Sequence, residues 1–217
     1  MLQDFLLKLK AHLLPRIRNI LLQETGSFQD YPVIPDDASA HDVEVNPNNF
    51  VFMKNDCIYH HKIIRFYYTT YDVRRGTDVV NAGTSRCNIM LLADDQANPS
   101  NAHHFLYARV LGSYHGNVVY TGPGMRDYDA RRLDFLWVRW YEVLNSTSSE
   151  GSDSKLDMLC FRPINASDAF GFVDPKDVLR SCHILPAFAK GKRHESGFGL
   201  SRCAKDGSDY NRYYVGR

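Results

Sequence analysis

Several things are missing from this 217-residue chain, and each absence narrows what it can be. No run of apolar residues approaches the roughly 20 needed to cross a bilayer as a helix. The N-terminal stretch MLQDFLLKLK carries an acid and two lysines, and Pro15 and Arg16 follow where a signal-peptide cleavage site wants small residues. Neither charge sign dominates: 26 basic against 25 acidic residues give a formal charge of +1, which argues against a surface built throughout to grip a polyanion. No GxxxxGK[ST], GxGxxG or GxSxG occurs, so the usual phosphate loops and nucleophile elbows are lacking. The five cysteines (Cys57, Cys87, Cys160, Cys182, Cys203) are odd in number, widely spaced and free of any CxxC, which disfavours a zinc ribbon and reads as free thiols in a reducing compartment. These features predict a soluble intracellular protein.

What the chain does have is apolar content of 44% and aromatic content of 12%, enough for a real core. Residues 2–22 read as an amphipathic helix, with Leu2, Phe5, Leu6, Leu9, Leu13, Ile17, Ile20 and Leu21 recurring at three- and four-residue steps. Pro15 is expected to kink or divide it. The stripe should dock either on the chain's own core or on an upstream domain. Residues 24–49, rich in Pro, Asp, Asn and Ser, read as a linker. From residue 50 onward the chain is dense in β-branched and aromatic residues. Strands are predicted near 50–53, 57–60, 62–72, 87–93 and 104–116. The strongest is 132–144, where Leu133, Phe135, Trp137, Arg139 and Tyr141 fall on one face and Asp134, Leu136, Val138, Trp140 and Glu142 on the other. With both faces largely apolar, this strand should be central. RRGTD at 74–78 reads as a turn, and 145–155 as a hydrophilic, mobile loop. A short helix is predicted at 175–181, with Asp174 as N-cap and Pro175 opening it. The tail from 189 is Gly- and Lys/Arg-rich and ends in a strand at YYV.

Chemistry is harder to find. His60–His61 and His103–His104 are tandem pairs, but strand neighbours point to opposite faces, so such a pair rarely serves one metal. Asp72, Asp134, Asp168, Asp174 and Asp177 show no spacing that marks a nuclease. No catalytic residue, metal ligand or cofactor is predicted. The most distinctive stretch is YYTTYDVRR at 67–75, whose aromatics and arginines suit base stacking, phosphate contacts or a methyllysine cage, or simply a core strand running into a solvated turn. KGKRH at 190–194 is a small basic cluster suited to phosphate contact or nuclear import.

Six segments in order carry a resemblance: FLLKLKAHLLPRI (5–17), IYHHKIIRFYYTTYDVRR (58–75), FLYARVLGSYH (105–115), DFLWVRWYEV (134–143), FGFVDPKDVLRSCHILPAFAKG (170–191) and YNRYYV (210–215). Over roughly residues 5–215 the chain resembles the C-terminal region of proteins associated with Kyakuja–Dileera–Zisupton and Plavaka-type transposons of mushroom-forming fungi. The resemblance implies that a transposase core would lie upstream and that its catalytic acids are not in this region. Gly216 and Arg217 stand where that family has a longer aromatic and acidic ending, which puts the last strand in question. A second likeness is to bromo-adjacent homology domains, β-rich chromatin modules. Tyr107, Ala108, Arg109 and Val110 match one of their strands; Val138, Arg139, Trp140 and Tyr141 match a second; Asp177, Val178 and His183 match a third segment.

Together these readings predict a mainly β fold. It would be a small, partly open β-barrel (residues 50–217) resembling a bromo-adjacent homology domain, behind an N-terminal amphipathic helix (1–23), with one short helix near 175–181. The expected function is non-catalytic binding of a histone, nucleosome or other protein in the nucleus, through an aromatic surface of Tyr67, Tyr71, Tyr114, Trp140 and Tyr141. DNA is the alternative partner, through Arg74, Arg75, Lys190, Lys192 and Arg193. A fragment of a metal-dependent transposase or nuclease is the second alternative, and no membrane partner is expected.

Overall fold

The computed structural model describes residues 2–25, 49–70, 72–93, 104–122, 125, 127–144 and 157–216. The expected linker therefore lies almost wholly outside the described residues, as does the expected loop at 145–155. The fold is mainly β, with one N-terminal α-helix and a nearly closed, barrel-shaped sheet. By its internal contacts the chain divides into two compact units, Met1–Tyr59 with Tyr114–Asp134, and His60–Ser113 with Phe135–Arg217.

In the first unit, α1 (Leu2–Thr25) runs unbroken through Pro15. The expected break does not occur. Proline removes one helical hydrogen bond, and the buried stripe Leu9, Leu13, Ile17 and Leu21, spaced four apart, holds both sides of it. Leu6 lies off that stripe and is half exposed. Val51, Val118, Tyr120 and Leu133 supply buried apolar surface from the same unit, so the helix docks on its own chain. Arg131 ties the helix end to the unit, donating to Glu24 at 2.7 Å and to Asp127 at 2.6 Å. Strand β1 (Val51–His61) pairs with β5 (Phe105–Tyr120). Where the sequence predicts a gap between two strands, Asn55 and Asp56 take positive φ (59° and 52°), a conformation these side chains tolerate.

The second unit holds β2 (Ile64–Thr69), β3 (Arg75–Val80), β4 (Asn88–Leu92), β7 (Met158–Phe161), β8 (Phe170–Val173), β9 (Val178–Ser181), β10 (His183–Pro186) and β11 (Tyr213–Gly216), together with parts of β5 and β6 (Arg131–Leu144). The sheet runs β10-β11-β7-β6-β5-β4-β9, with β8 also on β6. Its two terminal strands, β9 and β10, are separated in the chain by Cys182 alone, so the sheet has to curl until its ends meet. A register shift between Met90 and Leu91 leaves Leu179 unpaired as β9 lies against β4, and such a bulge bends a strand. The last strand forms fully, pairing His183–Pro186 on one side and Met158–Leu159 on the other.

Strands β5 and β6 bury both faces, as the double apolar pattern of 132–144 predicts. Ala108, Val110, Leu136 and Val138 join one core with Phe66, Ile89 and Val178. Tyr107 and Tyr141, from the alternate positions, join a second with Leu159, Phe161, Tyr213 and Val215.

Two local expectations change. Residues 75–80 are a strand and not a turn; the turn is at 70–74, where the Thr70 amide donates to the Arg74 carbonyl (2.8 Å) and Val73 takes φ of 62°. Gly76 suggests a turn because of its residue type, but it serves as space. It pairs with Tyr68, and a Cβ there would sit 2.5 Å from the Tyr68 ring. The helix expected at 175–181 is a single 3-10 turn, Pro175–Asp177, capped by Asp174, which accepts from the Lys176 amide. Residues 178–181 go to β9 because pairing with β4 satisfies a whole row of backbone groups that a short isolated helix would leave open.

The helix docking can be checked by urea unfolding. Ile17→Ala should destabilise the protein by about 2–5 kcal/mol, while Leu6→Ala should change it by less than about 0.5 kcal/mol. Equal effects would place the wrong face inside.

Candidate functional site

Alternation along β5 and β6 puts Arg109 on the same face as Tyr107, and Arg139 on the same face as Tyr141. That is the aromatic core of the second unit. Arg139 is wholly buried there, and a charge so placed needs a partner. Asp209, also wholly buried, supplies it: Arg139 Nη1 donates to Oδ2 at 2.6 Å, and Arg109 Nη1 donates to Oδ1 at 2.7 Å. The Tyr213 hydroxyl donates to Oδ1 as well, at 3.3 Å. Both guanidinium carbons lie over the Phe161 ring, at 4.4 Å for Arg109 and 4.0 Å for Arg139. That ring stacks on Tyr141 with centroids 4.0 Å apart. The Arg139 Nε is buried with no hydrogen-bond partner among the described residues.

The chain around Asp209 is pinned rather than loose. The Arg193 amide donates to the Asp209 carbonyl at 2.8 Å, and Lys192 bridges to Tyr210. Buried Asp206 accepts from the Leu200 amide at 2.8 Å and the Ser201 amide at 3.1 Å. Burial opposes its charge, but those two amides, its own amide and the nearby Arg139 together outweigh it and hold the carboxyl below its usual range. Gly199 fits this turn because a Cβ would come within 2.1 Å of Asp206 Oδ1.

Beside this network lies a cavity of about 510 Å³. Tyr141, Tyr210 and Tyr213 line it, together with Cys87, Asn88, Arg109 and Lys205, and Ser85 and Ser208 add hydroxyls. No carboxylate is among the lining residues. Lys205 sits in the left-handed region (φ 51°) and donates from Nζ to the Ala82 carbonyl at 2.5 Å. Tyr141 donates to Asn88 Oδ1 at 3.2 Å. Burial opposes the charge on Arg109, yet the Tyr141 and Tyr213 phenols once ionised at high pH, and the Asp209 carboxylate throughout, more than offset it, so the guanidinium holds its proton more tightly than usual. Burial pushes the Cys87 thiol up against the pull of Arg109 and Lys205, pushes Tyr141 well above its usual range, and pushes Tyr213 up to about 12. Cys87, Tyr141 and Tyr213 are therefore all protonated at neutral pH, and none serves as a base.

Of the expected aromatic surface, Tyr67, Trp140 and Tyr141 are described within the second unit, and they occupy different surroundings. Tyr67 is exposed on β2, and Tyr71 lies outside the described residues. Tyr114 is half-buried in the first unit. Trp140 packs half-buried against the first core, its Nε1 only 2.8 Å from where a Gly171 Cβ would stand. Among the described residues of that set, Tyr141 alone lines the cavity; as Trp140's neighbour on a strand it faces the other way. The expected basic residues are exposed. Arg74 is paired with Asp72 at 2.9 Å, Arg75 opens β3, Lys190 ends a 3-10 turn (Phe188–Lys190), and Lys192 and Arg193 follow it. The residues that sequence reasoning missed are Asp209, Lys205, Tyr210 and Tyr213. One signal pointed to them: a lone arginine at 139 in an otherwise apolar strand face, which requires a carboxylate from elsewhere in the chain. No family model, curated protein or solved structure matches this chain.

Two outcomes test the network. Asp209→Asn leaves two guanidiniums without their countercharge and should cost about 3–5 kcal/mol in urea unfolding, against less than about 0.5 kcal/mol for exposed Lys192→Gln. A cost near zero would mean that the arginines are compensated elsewhere. The second outcome is alkaline. Tyr213 moves from its usual 10.0 to about 12 and Cys182 from 9.0 to about 12, both because burial favours the protonated form. The stability this gives is complete below pH 9 and falls as pH rises towards 12, with Tyr213 contributing about 2–3 kcal/mol. Urea midpoints followed from pH 8 to 12 should be level and then drop, and Tyr213→Phe should make the drop shallower; a flat profile would refute this.

Proposed function

We propose that this chain is a non-catalytic interaction module of a transposon-derived protein, acting on chromatin or another protein partner. The observation that carries this reading is the cavity lining: hydrogen-bond donors and aromatic walls, with its buried thiol and phenols held protonated and no carboxylate or histidine among its residues. Such a lining can hold a ligand, but it offers no general base to a reaction. What favours chromatin among protein partners is the likeness to bromo-adjacent homology domains. Its matching segments lie on β5, β6 and the run through β9 and β10, the strands that frame this site. A methyllysine cage at the cavity is disfavoured, because Arg109 and Lys205 would repel the ligand and no carboxylate offsets them.

The test is binding of the purified chain to nucleosomes bearing varied histone-tail marks, and to naked duplex DNA, at two salt concentrations. The expected outcome is nucleosome binding that depends on the histone tails and falls far less steeply with salt than binding to naked DNA. Binding to both, steep in salt and blind to the tails, would instead make the chain an electrostatic DNA binder through Arg74, Arg75, Lys190, Lys192 and Arg193. Binding to neither would sink the chromatin reading.

A further inference from the structure

The cavity has a sign as well as a shape. Arg109, Arg139 and Lys205 contribute three positive charges around it, and Asp209 and Asp206, both buried, return two negative charges, which leaves one positive charge in excess. Asp209 is wholly buried and already meets both arginines, so it presents no oxygen to an incoming ligand. Arg109 meets Asp209 through Nη1 alone. The pair is not bidentate; the same Nη1 also reaches the Lys205 carbonyl at 3.5 Å, and Arg109 is one of the residues that line the cavity. Asn88 spends its Oδ1 on Tyr141, which leaves its amide nitrogen as a donor. Ser85 and Ser208 add hydroxyls at the same wall. Two cationic groups and several neutral donors thus meet around a concave site with tyrosine walls and no carboxylate among its lining residues.

We propose that this cavity binds the phosphoryl group of a phosphorylated side chain on a partner protein, with Arg109 and Lys205 as its two cationic contacts. This rests on the interaction reading above. A phosphate monoester carries nearly two charges and three acceptor oxygens, which suits two cations and several neutral donors better than a single carboxylate does. A cavity of about 510 Å³ holds one side chain. It is not the long groove with which proteins follow a nucleic-acid backbone. The tyrosine walls give an aromatic or alkyl stem something to pack against.

The experiment uses the full 217-residue chain and phenyl phosphate as the probe, followed by backbone-amide NMR. Saturable shifts should appear at residues 83–88 and 205–213. The affinity should rise as pH passes about 6, where the second phosphate proton leaves. Lys205→Gln, an exposed position that should fold normally, should weaken binding about tenfold. Arg109→Lys keeps the charge but loses the fork, and should abolish saturation, with its melting curve reporting whether it folds. An equal response to acetate, or shifts confined to 72–75 and 190–193, would overturn the assignment. Nucleosome binding that persists in Lys205→Gln, with no response to phenyl phosphate, would overturn it too and leave the interaction reading standing. Phenyl phosphate binding in a chain that ignores nucleosomes would support the cavity and sink the chromatin reading.

Discussion

One buried carboxylate held between two guanidiniums organises the second unit. Arg109 and Arg139 come from two neighbouring strands of the sheet, β5 and β6, and Asp209 comes from the tail, 100 and 70 positions further along the chain respectively. Neither arginine could be buried without Asp209, and Asp209 could not be buried without them. The triad fixes where the tail must lie, and with it Lys205, Tyr210 and Tyr213. Well-packed apolar residues could have filled the same volume at similar stability. What the charges add is direction. They set the register of an irregular segment against a regular sheet.

The regular part of the fold was legible because strand alternation records which sides are covered. Two apolar faces along 132–144 mean a strand with neighbours and cores on both sides, and β6 has both. The errors came where residue type was read without its partner. Gly76 looks like a turn and is in fact room for Tyr68 across the hairpin. Val178–Ser181 follows a good helix cap, yet pairing with β4 outweighs what one capped turn contributes. The site was the least legible part. Asp209 sits in the polar run DGSDYN, whose composition reads as solvated loop, and nothing local distinguishes a carboxylate that will be buried from one that will not. Arg139 was the visible half of the pair.

The same distinction separates the aromatic residues. Tyr67 and Trp140 drew attention because they stand in conspicuous clusters, but one is solvated and the other packs beside Gly171. Tyr210 and Tyr213 stand in an unremarkable tail and line the cavity, since the last strand brings them back onto the sheet.

That return of the tail also sets an order of events. Strand β9 pairs with β4 and the adjoining β10 pairs with β11, which lies at residues 213–216. A chain leaving the ribosome therefore holds two open sheet margins and two uncompensated arginines until Asp209 and β11 have emerged. Closure and charge neutralisation arrive together, so the barrel is assembled after translation of this segment rather than during it.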